Sequence, residues 1–330
     1  MGCSPSARAR AADLPSEPVA PTSVKLEAER RVSAIMGTGE DLVMAAKEGD
    51  VVRVRGLVAG GVPTDWTDMT GKTPLFWAAA EGQTEVVVVL HQVGADMNKP
   101  NHDGWTPLFV AAVGRKKEVV ALLLEKGADP DKANGKGWTP LFGACVEGHA
   151  DIVQLLLEKG VDPNRQSDNK GNTPLFWATM ESRSEVVELL LHHGADPNLE
   201  NTWGRTPLSL AAREGYETLV SLLLQSGADP DKADEYDGCT PLYRAASENQ
   251  KGVVALLLDH GADANKPNSD GWTPLFWCSK SGYTEVVALL LQKGGDPSIM
   301  SKQGVSPLSL AQREGRQEVM ALLQEHGAVK

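Results

Sequence analysis

The motif Thr-Pro-Leu recurs along most of this 330-residue chain at a nearly constant interval. It begins at Thr73, Thr106, Thr139, Thr173, Thr206, Thr240 and Thr273, and as Ser-Pro-Leu at Ser306. A period of 33 or 34 residues is typical of a solenoid, in which each repeat packs only against its neighbours. Residues 41–61 keep the Leu, Ala-Ala and Gly positions of the pattern without Thr-Pro. We interpret them as a first, capping repeat, which brings the number of repeats to nine.

Each repeat predicts two short helices. Thr is a good helix N-cap, and Pro fits the first helical position because its missing N–H would have no partner there. A glycine near positions 82, 148, 215 and 282 is expected to end this first helix, which carries Ala-Ala on its core side. The following Glu-Val-Val-x-Leu-Leu-Leu predicts a second, bulkier amphipathic helix, ended by the glycine of Gly-Ala-Asp. The first helices can therefore approach more closely than the second helices, which predicts a curved rod with a groove.

The segments between repeats are rich in Gly, Asp, Asn and Pro, which favour turns. We expect hairpin-like fingers there, which join neighbouring units and hold the additional residue of the two 34-residue repeats.

The succession Gly-x-Thr-Pro-Leu, Ala-Ala, Gly, Val-Val-x-Leu-Leu and Gly-Ala-Asp, matched from about residue 41 to residue 328, resembles the ankyrin-repeat family. The resemblance implies an all-α solenoid of helix-turn-helix units joined by β-hairpin-like fingers, over residues 40–330. One departure is systematic: the family's usual histidine after Thr-Pro-Leu is missing, so its hydrogen bonds do not carry over. That position holds Phe76, Phe109, Phe142, Phe176, Ser209, Tyr243, Phe276 and Ser309.

Charge and motif content limit the function. The formal net charge is −12, and residues 40–330 hold 27 Lys and Arg against 40 Asp and Glu. An acidic surface repels phosphate backbones, so we expect no nucleic acid polymer as partner. No apolar run approaches the roughly 20 residues of a membrane span. The sequence has no phosphate-binding loop, nucleophile elbow, zinc signature or kinase motif set, so we expect a non-enzymatic protein without cofactor or metal.

The four cysteines, Cys3, Cys145, Cys239 and Cys278, are too few and too scattered for a disulfide framework. Their spacing predicts a reducing compartment, which we take to be the cytoplasm. Cys145 and Cys278 fall at Ala-Ala positions and are expected to be buried fillers. Cys239 is the cysteine of the repeats that we expect to be exposed.

Aromatic and basic side chains mark the side of the first helices that faces away from the core. A rotation of about 100° per residue from Leu75 keeps Ala78 and Ala79 on the core side and turns Trp77 away by about 200°. The residue before Thr-Pro lies at the base of a finger, and the family resemblance implies that finger and inner-helix positions bind partners. The candidate binding residues are Trp77, Trp105, Trp138, Trp177, Arg213, Arg244, Trp272, Trp277 and Arg313. The alternative is that each indole ring only packs on a neighbouring helix or stiffens a finger.

The chain begins Met-Gly-Cys-Ser-Pro-Ser, which matches the N-myristoylation pattern at Gly2, with Cys3 beside it as a palmitoylation site. One myristoyl chain gives marginal membrane binding, whereas two acyl chains hold stably. The alternative is an organelle transit peptide, although Asp13 and Glu17 weaken it. The sequence predicts a lipidated N terminus in peripheral contact with a membrane.

Residues 1–23 are expected to be a disordered tether, because they are rich in Pro, Ala and Ser. Residues 24–39 predict a capping helix that shields the open end of the first repeat, or alternatively a free amphipathic helix. One face of that helix would hold Ala28, Val32, Ile35 and Met36.

These features predict a monomeric protein-protein interaction adaptor that binds a protein partner in its concave groove, at the cytoplasmic face of a membrane. Two alternatives remain open. The groove could instead occlude a partner enzyme, as a regulator or inhibitor does, or its tryptophans could stack on a small nucleotide-like ligand.

Overall fold

A computed structural model describes residues 37–167 and 170–328. Within these ranges the chain forms nine pairs of short α-helices and no β-strand. The first helices of the pairs, called inner helices, are α1 (Gly39–Glu48), α3 (Pro74–Glu81), α5 (Pro107–Val113), α7 (Pro140–Glu147), α9 (Pro174–Met180), α11 (Pro207–Glu214), α13 (Pro241–Ser247), α15 (Pro274–Ser281) and α17 (Pro307–Arg313). The second, or outer, helices are α2 (Val51–Ala59), α4 (Thr84–Gln92), α6 (Lys117–Glu125), α8 (Ala150–Glu158), α10 (Ser184–His192), α12 (Glu217–Gln225), α14 (Lys251–Asp259), α16 (Thr284–Gln292) and α18 (Gln317–Glu325).

Several N-terminal predictions concern residues outside the described ranges. These are the acylation of Gly2 and Cys3, the tether at 1–23 and residues 24–36 of the capping helix. Within the described part, Thr38 is the N-cap of α1, and its hydroxyl accepts a hydrogen bond from the Asp41 N–H. No helix of the described residues is long and apolar enough to span a bilayer.

The inner helices begin and end as the sequence predicts. The hydroxyl of the motif Thr or Ser accepts the N–H three residues later in six repeats, for example Phe76 N–H at Thr73. Thr139 and Thr273 keep the extended N-cap backbone but do not make this bond. At the C-terminal end, Gly82 and its equivalents in five other repeats adopt a left-handed conformation that glycine tolerates without strain.

One continuous apolar core runs through the repeats. The inner helices contribute Leu and Ala side chains such as Leu75, Ala78 and Ala79, all fully buried. The outer helices contribute Val and Leu side chains such as Val87 and Leu90. Because a single helix pair cannot cover both faces, every interior repeat depends on two neighbours.

Each helix contacts its counterpart in the next repeat. Successive inner helices approach more closely than successive outer helices, since alanine occupies much of their contact surface. The inner helices and the fingers line one side of the array. That side is called the groove below.

The fingers are tight turns closed by a buried polar side chain. Asn101 Oδ1 accepts hydrogen bonds from the N–H groups of Asp103 and Trp105, and Asn134 and Asn268 make the same pair of bonds in their own fingers. Neighbouring fingers are joined by single backbone bonds, such as His102 N–H to the Thr70 carbonyl at 3.1 Å. The two 34-residue repeats are longer within this turn, as expected.

The position that departs from the family pattern has two structural solutions. Phe142 and Phe276 are fully buried under their fingers. Ser209 and Ser309 instead form capping boxes, in which the serine hydroxyl accepts the N–H of the N-cap residue and its own N–H reaches the N-cap hydroxyl. The helix start is therefore stabilised by packing in one case and by hydrogen bonds in the other.

Candidate functional site

Trp77 lies on the groove side of α3, half-buried between two lysines. Its Nε1 donates a 2.9 Å hydrogen bond to Asp68 Oδ2. The Nζ atoms of Lys47 and Lys72 each lie 4.6 Å from the centroid of its ring. An ammonium group at this distance from an indole ring is attracted to it by a cation–π interaction, and Trp77 has two such lysines. Trp77 therefore has partners within its own chain.

The Asp68 carboxylate accepts hydrogen bonds both from its own finger and from the Trp77 indole. Burial raises the pKa of this group, but hydrogen bonds from the Thr70 hydroxyl, the Trp77 indole and the Lys72 and Thr70 N–H groups together lower it to about 2. Asp68 is therefore ionised over the whole physiological range and holds Trp77 in place.

Three of the predicted tryptophans form one aromatic cluster. Trp105 stacks on Phe109 with ring centroids 4.0 Å apart and contacts Trp138 edge-on at 6.5 Å. Trp138 in turn contacts Trp177 of the next repeat at 5.2 Å. We call Trp105, Trp138, Trp177 and Phe109 the central aromatic cluster. All four side chains are half-buried, so each keeps part of its surface exposed.

Trp272 and Trp277 form a second, smaller group. Their ring centroids are 6.3 Å apart, and Trp272 also stacks on Phe276 at 5.7 Å. Lys280 Nζ lies 5.0 Å from the Trp277 ring. Trp77 belongs to neither group, so the predicted aromatic stripe is divided into three parts.

Arg244 is held by its own finger. Its Nη2 lies 2.5 Å from Asp234 Oδ2 and 2.7 Å from Asp237 Oδ2, and its side chain is only 19% exposed. Burial raises the pKa of Asp237, but hydrogen bonds within the finger and the Arg244 charge hold the pKa well below its usual value. Much of the Arg244 charge is therefore neutralised locally.

Cys239 is buried, contrary to the sequence-based expectation. Only 2% of it is exposed, because the turn closed by Asp234 folds over the finger base. Burial raises the pKa of the thiol to about 12, so it stays protonated. Cys145 and Cys278 are buried as predicted.

Arg213 and Arg313 occupy the same place in repeats that lie 100 residues apart. Each guanidinium pairs with the glutamate that follows it, Glu214 or Glu314. The Arg313 side chain is 64% exposed and the Arg213 side chain 38% exposed. Arg213 is the more enclosed because it borders a pocket.

This pocket was not anticipated from the sequence. It lies between the fingers and inner helices around α9 and α11 and encloses about 150 Å³. Trp203, which is 42% exposed at a finger tip, and Arg205 both line it. Trp203 and Trp66 are the two tryptophans that lie outside both the inner-helix position of Trp77 and the finger-base position of Trp105, so the repeat pattern did not single out Trp203.

Nothing in the described residues suggests a metal centre, since they contain no group of three or more His, Cys, Asp or Glu side chains arranged for one. The histidines before the outer-helix glycines cap those helices instead. Nδ1 of His193, His260 and His326 lies 2.9 Å from the carbonyl oxygen four residues earlier.

The architecture defines a class first: a helical-repeat solenoid with a finger-lined groove. A family model described as ankyrin repeats (3 copies) matches residues 42–134, 126–201, 194–268 and 260–330. The chain therefore belongs to the ankyrin-repeat family, whose repeats serve in protein-protein interaction.

Two similar proteins agree with this assignment. The crystal structure of the ankyrin repeat domain of Bcl-3, described as a unique member of the IkappaB protein family, superposes with a TM-score of 0.63. That match is 30% identical and covers 68% of this chain and all of that domain. A protein of Escherichia coli (strain K12) named for its ankyrin repeats, YahD, is 37% identical over 62 residues. This second match spans 19% of the chain and 31% of YahD.

Proposed function

We propose that the chain is a non-enzymatic adaptor that binds a protein partner in its groove. The central aromatic cluster is the observation that carries this proposal. Trp105, Trp138 and Trp177 lie side by side across three repeats, and each keeps part of its surface exposed. Tryptophan is enriched among the residues that dominate interface energetics, and exposed aromatic clusters usually mark contact sites.

A glycine in α7 makes room for part of the central aromatic cluster. Residue 143 is a glycine at the place where α3, α9 and α15 carry Trp77, Trp177 and Trp277. A methyl group there would come within 2.6 Å of Val113 Cγ2 and 3.1 Å of the Phe109 ring, so the Phe109 ring occupies the space beside α7. The small volume of the pocket at α9 and α11 disfavours a nucleotide-sized ligand, since sites for drug-sized molecules are about 300–1,000 Å³.

The test replaces Trp105, Trp138 and Trp177 together by Leu. We expect partners cross-linked to the wild-type protein in its native cells to be lost, while the urea midpoint changes little. Mass spectrometry of the cross-linked material identifies the partner, and titration of the purified pair measures its affinity.

Glu188→Ala provides the control, because Glu188 is exposed on the outer helix α10, away from the groove. This variant should retain every partner. Unchanged capture by the triple variant would contradict the proposal. A large drop in its urea midpoint would show that the three indoles mainly hold the fold together.

We also propose that acylation of Gly2 and Cys3 tethers the adaptor to the cytoplasmic face of a membrane. The support is the sequence pattern at the N terminus. Two acyl chains are needed because each buried CH₂ contributes only about 0.8 kcal/mol and one myristoyl chain binds marginally.

Fractionation of cells competent for lipidation tests the tether. Gly2→Ala should move the protein from the membrane to the soluble fraction, and Cys3→Ser should weaken its retention. Wild-type protein found wholly in the soluble fraction would refute the tether without affecting the groove proposal.

A further inference from the structure

The pocket at α9 and α11 is basic in an acidic protein. Four cationic side chains line it, and none of the described residues that line it is Asp or Glu. These are Lys170, Arg205, Arg213 and Arg244. The whole chain has a net charge of −12, so this local excess of positive side chains is opposite in sign to the charge of the protein.

The four cations are only partly neutralised. Arg213 pairs with Glu214, and Arg244 pairs with Asp234 and Asp237. Among the residues that the structure describes, four positive charges against these three carboxylates leave an excess of one. Arg205 forms no ion pair within the described ranges, and it is half-buried.

The walls of the pocket are aromatic and aliphatic. Trp177 forms one side and Trp203 another, with Leu210 and Met180 between the polar groups. Lys170 Nζ lies 5.7 Å from the Trp203 ring centroid, so it stays near the pocket edge. Such walls favour an occupant that carries apolar atoms next to its charge.

Size and charge select the occupant. A cavity of about 150 Å³ is comparable to one that holds a single benzene-sized group, and is too small for a drug-sized ligand. One excess positive charge matches a carboxylate, whereas a phosphate group carries about −1.5 to −2 at pH 7. Two guanidinium groups can bind a carboxylate through charge-assisted hydrogen bonds.

We infer that this pocket binds an aspartate or glutamate side chain of an acidic peptide segment in the protein partner, with an adjacent apolar residue against Trp177. The inference rests on the proposed function, because the peptide lies in the same groove. The inference extends the proposed function by naming the charge of the partner residue that sets specificity and the pocket in which that residue lies.

A phage-displayed library of twelve-residue peptides tests the inference. The library is selected in parallel on wild-type protein and on the Arg205→Gln/Arg213→Gln variant. The wild type should enrich peptides with an acidic residue beside an apolar one, and the variant should not. The best peptide is then synthesised with Glu, Gln or phosphoserine at the acidic position. We expect the Glu form to bind wild type about 10 to 100 times more tightly than the Gln form, as for a hydrogen bond to a charged group.

Arg313→Gln is the matched control, since Arg313 has the same repeat position and the same glutamate pairing outside the pocket. It should leave the preference for Glu over Gln intact. The inference fails if no acidic peptide is enriched, if Gln binds as well as Glu, if Arg313→Gln removes the preference equally, or if phosphoserine binds at least tenfold better. A non-acidic peptide that still requires the central aromatic cluster would refute the pocket assignment and leave the adaptor proposal standing.

Discussion

At the scale of single residues, the end of the inner helix shows where the repeat tolerates strain. Six of the nine repeats have glycine there, but Arg115, Ser182 and Asn249 occupy the same left-handed conformation with φ between 53° and 60°. Left-handed backbone costs an L-residue about 1–2 kcal/mol, and asparagine tolerates it better than most. The three repeats therefore differ in local stability.

Ser182→Gly should stabilise the protein by about 0.5–1 kcal/mol. Relief of the left-handed strain exceeds the entropy that glycine adds to the unfolded chain. Asn249→Gly is the internal comparison and should give less. Urea unfolding at neutral pH measures both, and an equal or larger gain for Asn249→Gly would contradict this account.

Asp131 is a second residue that lowers the stability of its own repeat. Asn164, Asn198 and Asn265 hold the same place in other repeats, where the side-chain amide donates to a glycine carbonyl of the next repeat. Burial raises the pKa of the Asp131 carboxyl, and its Oδ1 has no hydrogen-bond partner among the described groups. The carboxylate form is thus disfavoured in the folded state.

Asp131→Asn should raise stability at neutral pH. Because the pKa of Asp131 is higher in the folded than in the unfolded state, the wild type loses stability as pH rises from about 4 through the folded value. The variant lacks this loss and gains an amide donor. The difference in urea midpoint should be larger at pH 7 than below about pH 4, where only the amide hydrogen bond contributes to it; an unchanged difference at low pH would argue against the titration of Asp131.

At the scale of elements, the spacing of the inner helices depends on small residues. A methyl group on Gly143 in α7 would come within 2.6 Å of Val113 Cγ2 and 3.1 Å of the Phe109 ring. Both belong to the region of α5, so glycine sets the α5–α7 distance. In contrast, Gly56 in α2 has nothing within 4 Å of the same position.

We expect replacement of these two glycines by alanine to change the stability in opposite directions. Gly56→Ala should stabilise by about 0.5–1 kcal/mol, because alanine favours the helix and meets no neighbour. Gly143→Ala gains the same propensity but overpacks the core, which typically costs about 1–3 kcal/mol. Thermal unfolding should show a higher Tm for the first and a lower one for the second. A higher Tm for both would mean that α5 and α7 can separate freely.

At the scale of the whole molecule, stability is a sum of repeats and of the interfaces between them. Interior pairs such as α7–α8 have a neighbour on each side. The pair α17–α18 contacts only α15 and α16 among the described helices. Its outer helix is also less buried, with only Val319 and Leu323 fully inside.

Hydrogen exchange should therefore be graded along the chain. We expect amides of α17 and α18 to exchange at least tenfold faster than those of α7 and α8 at neutral pH, as a local opening free energy lower by about 1.4 kcal/mol implies. Mass spectrometry of peptic peptides measures this. Uniform protection from α7 to α18 would indicate that the array unfolds as one unit.

The sequence by itself determined the helix pairs, their boundaries and the core, because these depend on local rules: Thr and Pro at a helix start, glycine at its end, and apolar residues at a fixed period. It also placed Trp77, Trp177 and Trp277 on the groove side. What only the tertiary structure decided is which side chains from different repeats meet. Trp138 reaches Trp177 of the next repeat, Asp234 and Asp237 bind Arg244, and the turn over the finger base buries Cys239. The pocket beside Trp203 forms in the same way, since its walls come from repeats whose distance depends on packing and not on spacing in the chain.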